Sequence, residues 1–397
     1  GGDYRSDPTT NAVAVPIYRT TSYEFASTEH AANLFALKEF GNIYTRIMNP
    51  TNDVLEKRVA ALEGGLACVS VGSGQAASTF AILNVCQAGD NFISSTDLYG
   101  GTVSLFTHTL KKLGIECRYA DPSDPTNFEK LIDEKTRCIY AETLPNPYLR
   151  VFPIKEVADI GRKHNIPLIM DNTAAPVICR PIEHGAAVVI HSLTKFIGGH
   201  GVALGGVIID SGNFKWDQTN KYKNITSPYE GYNQLNYYEE FGPGAFLARA
   251  RSEGLRDFGA TLSPQNAFYL LMGVETLGPR MMKHVSNCEY IAAFLSGKEE
   301  VSWVSHPSLK SHKDFSIASK LLPKGSGAIL SFGIKGGKKS ALKFINSLNI
   351  FSHLANIGDS KSLAIHPAST THSQLNKKQL EKSGVSEDLI RLSVGIA

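Results

Sequence analysis

Pro167-Leu-Ile-Met-Asp-Asn-Thr173 and Val188-Val-Ile-His-Ser-Leu-Thr-Lys195 share one layout: a short apolar run that breaks abruptly into polar residues. A run of about four apolar residues reads as a buried strand when helical patterns flank it. The same rhythm extends upstream. Strands are expected at 67–71, 91–94, 116–119 and 136–141, and helices at 76–83, 102–113, 128–132 and 154–164. Alternation of this kind predicts an α/β fold, a mostly parallel sheet sandwiched by helices. Ligands of such sheets bind beyond the carboxyl ends of the strands. That places Asp171 and the Ser192–Lys195 run where chemistry is expected.

Outward from this centre, Val54, Leu55, Val59 and Leu62 keep helical spacing after Pro50, so a helix should run over 52–63. Residues 1–50 read as a polar arm. Residues 211–250 are rich in Asn, Tyr, Gly and Lys without a clear period, and are expected to be a long surface excursion over the site. An apolar helix begins near Asn266, and 271–397 reads as a smaller C-terminal α/β domain. The expected division is therefore 1–50, 51–270 and 271–397.

A chain of 397 residues with 42% hydrophobic and 19% charged residues has the balance of a globular enzyme-sized protein. A net charge of +3 gives no footprint for nucleic acid or an acidic membrane surface. No apolar run reaches the roughly 18–20 residues of a membrane span. No secretory leader pattern is present, and Gly1-Gly2 in place of an initiator Met suggests processing. Cysteines at 68, 86, 117, 138, 179 and 288 are scattered, with no C-x-x-C pair. Reduced, buried thiols and a cytoplasmic setting are the expectation.

Three local patterns carry chemistry. Asp171 stands at a buried strand end, where a carboxylate needs a cation or several donors. Taken alone it most often caps the next turn, but a protonated pyridine nitrogen would also serve it. Lys195 follows Ser192 and Thr194 and precedes Phe-Ile-Gly-Gly, which does not look solvated. A lysine there could form an imine with an aldehyde cofactor, and the hydroxyls suit a phosphate ester. Gly72-Ser-Gly-Gln-Ala76 lies between a strand and a helix, a place for phosphate on backbone amides. It also fits the G-x-G-x-x-A fingerprint of an NAD-dependent oxidoreductase, but Asp90 precedes its strand where the ribose-binding acid should follow it. The S-x-x-K acyl-enzyme pattern lacks its S-D-N and K-T-G companions. No H-E-x-x-H or Cys/His cluster suggests a metal. His353, His366 and His372 are expected on a loop near the site without one.

Together these residues resemble the Cys/Met-metabolism family of pyridoxal-phosphate enzymes, of fold type I. The resemblance rests on Tyr44-Thr-Arg-Ile-Met-Asn-Pro-Thr51, Asp97-Leu-Tyr-Gly-Gly-Thr102, Asp171-Asn-Thr173, the Lys195 run and Arg391-Leu-Ser-Val-Gly395. It implies that Lys195 carries pyridoxal 5'-phosphate as a Schiff base and shuttles protons. It implies that Asp171 pairs the ring nitrogen, Tyr99 stacks on the ring and Thr173 packs near its other face. Gly74, Gln75, Ser192 and Thr194 would hold the phosphate. Tyr44 and Arg46 would reach that phosphate from the neighbouring subunit, so the arm makes a site shared across a dimer, commonly within a tetramer. Arg391, Asn146 and Ser362 would bind the substrate carboxylate, and Tyr44 and Tyr99 could assist proton transfer.

Within the family, methionine γ-lyases carry a cysteine where Gly101 stands, and cystathionine enzymes differ after the lysine. The excursion at 211–250, the run Gly358–Ser373, Asn33–Lys38 and Arg180–Gly185 resemble the O-acetylhomoserine sulfhydrylases. The implied reaction is γ-replacement on O-acetyl-L-homoserine by sulfide or a small thiol, giving L-homocysteine or methionine and acetate. A cystathionine γ-synthase, a γ-lyase, an O-succinylhomoserine sulfhydrylase and a non-catalytic relative are the other readings. Pro145 and a segment 174–179 one residue shorter than usual depart from the family pattern near the site.

Overall fold

The strands follow the apolar runs closely. In the computed structural model, which describes residues 2–147, 149–371 and 384–397, they are β1 (Ala67–Val71), β2 (Asn91–Ser95), β3 (Glu116–Ala120), β4 (Thr136–Glu142), β5 (Leu168–Asp171), β6 (Val188–Ser192) and β7 (Gly206–Asp210). They form one sheet in the order β1-β7-β6-β5-β4-β2-β3. Neighbours from β6 to β3 pair in parallel, and β7 is antiparallel to both β1 and β6. The sequence reading did not anticipate β7, whose Gly-Val-Ile-Ile-Asp run follows the Lys195 loop without a helix between.

Side chains alternate across this sheet. Ile93, Ile139, Met170, Val189 and Ile209 face one layer, which holds helices Pro50–Glu63 and Ile154–Lys163. Phe92, Tyr140, Ile169, Val188 and Ile208 face the other, which holds helix Gly74–Leu83. Asn49 caps helix Pro50–Glu63 through Thr51 N–H, and Pro50 occupies its first turn, the start that the sequence suggested. The helix expected over 128–132 is instead a short turn at Thr126–Glu129, because Asp124 Oδ1 accepts from Thr126 N–H at 2.9 Å and starts it early. Helix Leu277–Ser296 leads to a second sheet of β8 (Val301–Ser305), β9 (Ile329–Ile334), β10 (Ser352–His353), β11 (Leu363–Ile365) and β12 (Leu389–Ser393), ordered β10-β11-β12-β9-β8. Its apolar face is continuous with the first layer, so Leu330 and Ile390 belong to the same core cluster as Ile139 and Met170.

Residues 211–250 are not a surface excursion. Trp216, Tyr222, Tyr237 and Phe246 are fully buried, and Trp216 stacks on Phe246 at 5.1 Å between centroids. They join the cluster of Phe92, Phe106 and Tyr140 and so build part of the sheet's second covering layer. Each such burial stabilises by about 1.5–3 kcal/mol, which offsets the ordering of an otherwise irregular chain. The segment consists of short helical turns, so no long period marks it.

One buried group opposes the fold. Asp210 ends β7 with no exposed surface; Oδ1 accepts from Gly212 N–H at 2.9 Å, and Oδ2 has no partner. Burial pushes its carboxyl from the ordinary 3.8 up to about 7. The folded-state value is raised, so stability is greatest below the unfolded value and falls as pH climbs through the folded one. Asp210→Asn should therefore gain on the parent progressively from about pH 4 to about pH 7, by at most about 4 kcal/mol, and then hold level. Denaturant melts of both proteins across that range check this; a gap independent of pH would refute it.

Candidate active site

β4, β5 and β6 end side by side, with Glu142 in register with Asp171 and Asp171 in register with Ile190. A cavity of about 580 Å³ opens beyond these ends. Glu142, Asp171, Ser192 and Lys195 line it from the large sheet, and Arg391 from β12. Tyr99, Gly74, Gln75 and Asn146 complete the wall with Thr173 and Thr194.

The strand-end residues are held from behind. Thr143 Oγ1 donates to Asn172 Oδ1 at 2.9 Å, and Asn172 Nδ2 donates to Glu63 Oε1 and to Cys179 O, each at 3.0 Å. His191 Nε2 lies 2.6 Å from the same Glu63 oxygen. All four side chains are buried. Thr143, Asn172 and His191 are the chain neighbours of Glu142, Asp171 and Ser192. One buried network thus spaces three cavity groups.

Asp171 Oδ1 accepts from Thr173 N–H at 2.9 Å, and Tyr140 OH lies 3.4 Å from Oδ2. Burial raises its pKa, against the lowering effect of the Thr173 bonds and of His191. Thr173 Oγ1 accepts from Ser192 N–H at 2.7 Å and ties β5 to β6. Thr194 Oγ1 accepts from Gly205 N–H at 3.1 Å. Lys195 Nζ donates to Asn356 Oδ1. Burial, and then the Arg391 charge, lower the lysine pKa, which favours a free amine.

Ser73 caps helix Gly74–Leu83 through Ala76 N–H at 3.1 Å. The amides of Gly74 and Gln75, in the first turn, have no intrahelical acceptor. A Cβ at Gly74 would lie 2.7 Å from Ser192 Cβ, so only glycine lets this turn close on the β6 end. Arg391 is 4% exposed and has no carboxylate partner among the described residues. Its Nη1 donates to Asn146 Oδ1 at 3.2 Å, its Nη2 to the carbonyls of Ala355 and Asn356 at 2.9 and 3.0 Å, and its Nε to nothing. Burial pulls it down to about 10, and Tyr99 acts in the other direction.

This donor set fits pyridoxal phosphate and an amino-acid carboxylate. A recessed carboxylate suits a ring N–H, unserved amides at a helix start suit a phosphate, a neutralisable lysine suits an aldehyde, and a buried guanidinium lacking an anion suits a carboxylate.

Other expected residues stand apart. Ser362 is buried outside the cavity lining, and its Oγ accepts from Gly395 N–H at 2.9 Å; it supports the backbone after Arg391 and does not face the pocket. Tyr44 and Arg46 are exposed and outside the lining within one chain, with the guanidinium 5.2 Å from the Tyr44 ring centroid. No residue of 211–250 lines the cavity, contrary to the covering role expected for it. His366 bonds Ser369 and the Glu387 carbonyl, each at 2.8 Å, and His353 is exposed; His372 lies outside the described residues. Asp90 sits before β2, away from the strand ends, ion-paired with Arg137 at 2.8 Å, so it cannot hold a ribose beside Gly74. Sequence reasoning missed Glu142 and Asn356. Glu142 repeats the strand-then-carboxylate layout of Asp171 and could have been found; nothing in sequence marks Asn356.

The family model for Cys/Met metabolism pyridoxal-phosphate-dependent enzymes matches residues 2–397. An O-acetyl-L-homoserine sulfhydrylase of Leptospira meyeri is 50% identical over 405 residues, covering 100% of this chain and 91% of the relative. A homocysteine/cysteine synthase of Saccharomyces cerevisiae is 46% identical, covering 96% and 89%. A solved O-acetylhomoserine (thiol)-lyase structure from Campylobacter jejuni, which contains a pyridoxyl-lysine phosphate, superposes with a TM-score of 0.97 at 41% identity, covering 100% of this chain and 94% of that one. With a whole-length family match, relatives near half identity and a site built for the cofactor, the chain belongs to the Cys/Met metabolism family of pyridoxal-phosphate-dependent enzymes.

Proposed function

We propose that this enzyme catalyses γ-replacement on O-acetyl-L-homoserine by sulfide or a small thiol, releasing acetate and giving L-homocysteine or methionine. The observation that carries it is the convergence on one cavity of Lys195, Asp171 and Arg391, the last without a carboxylate partner among the described residues, in a chain 50% identical to an O-acetyl-L-homoserine sulfhydrylase.

Bound pyridoxal phosphate supplies an aldehyde for the amine and an electron-withdrawing ring for the α-carbon. The residues do the rest. Asp171 would accept the ring N–H. The Gly74 and Gln75 amides and the Ser192 and Thr194 hydroxyls would hold the phosphate. Tyr99 and Thr173 would flank the ring. Arg391 and Asn146 would orient the substrate by its carboxylate. Lys195 Nζ would take the α-proton and return one at the end. Burial and the Arg391 charge lower its pKa, which favours the free amine that a base needs. Acetate leaves Cγ, the thiol sulfur bonds there, and Tyr44 and Tyr99 assist the proton transfers. Fixed dipoles and charges around the ring supply most of the acceleration.

Tyr44 and Arg46 belong in this reading to the neighbouring subunit's cavity, in a site-sharing dimer within a tetramer. Their exposure and their absence from the lining of their own chain's cavity support it. The cytoplasm is the proposed setting; all six cysteines are free, and all but Cys117 are buried. No described helix is long and apolar enough to cross a membrane.

Mixing the enzyme with sulfide and either the acetyl or the succinyl ester of homoserine, with homocysteine as the readout, should favour the acetyl ester; product from neither would sink the assignment. A keto-acid assay without thiol separates a γ-lyase. Lys195→Ala should lose the visible absorbance of lysine-bound cofactor and slow turnover by roughly 10³-fold or more; a variant that keeps both would remove Lys195 from its role. Arg46→Ala should loosen cofactor retention, measured by dialysis, without changing the melting temperature; full cofactor occupancy in a monomer would contradict the shared site.

A further inference from the structure

Glu142 lines the cavity at the end of β4, yet no step above uses it. Its side chain is buried, and its Oε1 accepts from Tyr99 N–H at 2.7 Å. Asp171 is its register partner on β5. Among the described residues, the ionisable groups that act on it are acidic: Asp171 from β5, Asp97 from the loop after β2 and the Tyr140 phenol of its own strand. Two adjacent carboxyls in a recessed place do not both ionise cheaply. Asp171 has the better support for a charge, with the Thr173 N–H at 2.9 Å, the Tyr140 hydroxyl and the helpful field of His191. Glu142 has one backbone donor. Burial and then Asp171 hold its carboxyl well above the usual range, which favours the neutral acid.

The bond it makes is placed to matter. Tyr99 directly precedes the short helix Gly100–Ser104, and its own side chain makes no capping bond there. Its ring stands half in the open at the cavity wall, 52% exposed. Asp97, two residues earlier, is held by Arg150 at 3.1 Å. The Glu142 bond therefore fixes the far end of this loop, where the ring departs from the backbone.

We propose that Glu142 is a positioning residue for Tyr99: its carboxyl, through a hydrogen bond that an amide can also make and not through charge, sets where the tyrosine ring stands beside Asp171. This rests on the cofactor-binding reading of the cavity. The role belongs to the binding step and is visible without turnover.

The test uses the full-length protein stripped of cofactor and titrated with pyridoxal phosphate. Dissociation constants and the visible circular dichroism of the bound cofactor are read from pH 6 to 9. Glu142→Gln should stay within about twofold of the parent in affinity and keep the band across that range. Glu142→Ala should bind at least tenfold more weakly, with a diminished band. In a Tyr99→Ala background, Glu142→Ala should add less than twofold, because the positioned ring is gone. A glutamine variant as weak as the alanine variant would overturn the proposal by showing that charge matters. So would an alanine variant that matches the parent, or an undiminished alanine effect without the Tyr99 ring. If Glu142→Ala fails to fold, the glutamine variant decides alone: parental binding upholds the proposal and tenfold weaker binding overturns it. Parent protein that takes up no pyridoxal phosphate would instead sink the underlying reading of the cavity.

Discussion

Glu63 Oε1 receives two side chains at once, Asn172 Nδ2 at 3.0 Å and His191 Nε2 at 2.6 Å, in a place where its own side chain is 1% exposed. The geometry of the cavity depends on this point. Strand side chains alternate, so the residue before or after each cavity-facing group points into the layer behind. There one carboxylate, from the last residue of helix Pro50–Glu63, draws Asn172 and His191 together, and Asn172 in turn accepts from Thr143. Buried hydrogen bonds of this kind contribute about 0.5–1.5 kcal/mol each, and leaving one partner unserved costs more. The ends of three parallel strands are thereby held at fixed spacing, which a loop could not guarantee. The proposed ring-nitrogen and phosphate partners, Asp171 and Ser192, inherit that spacing.

In front of the same strands the charges are incomplete. Arg391 is buried with carbonyls and an amide for partners, and Lys195 is bonded to a neutral Asn356. A core optimised for stability alone would not keep such groups. Their lowered pKa values express the cost of burial, and an anionic ligand would relieve it. Asp171 is the complementary case, an acid raised by burial and waiting for a cation. Departures from well-paired burial cluster at functional sites, and here all three line the one cavity proposed to hold the cofactor and the substrate.

Much of this was legible in the sequence. Asp171 and Lys195 stood out because each follows an apolar run that can only be a strand, and strand ends in a parallel sheet are where ligands bind. The first turn at Gly74 was legible for the same reason. Arg391, Asn146 and Tyr99 had no such local signal and entered through the family resemblance. Ser362 came by the same route, and its hydroxyl proved to serve the Gly395 backbone instead. The segment 211–250 misled because its buried aromatics sit on turns too short to show a period; Trp216 and Phe246 meet only in the folded chain. Asn356 was illegible because its contact with Lys195 joins residues 161 positions apart.

A smaller feature shapes the same cavity wall. A Cβ at Gly101 would lie 2.5 Å from Tyr99 Cε1 and 3.1 Å from Cζ, closer than side chains pack. The resemblance places a cysteine at this position in methionine γ-lyases. Such a side chain cannot coexist with the Tyr99 ring where it now stands. The Tyr99 backbone is tied to Glu142, so the ring, not the loop, would have to move. Gly101 thus permits the stance that the Tyr99 ring now takes. The residue at 101 thereby bears on where the aromatic wall of the cavity stands relative to Asp171 and Arg391.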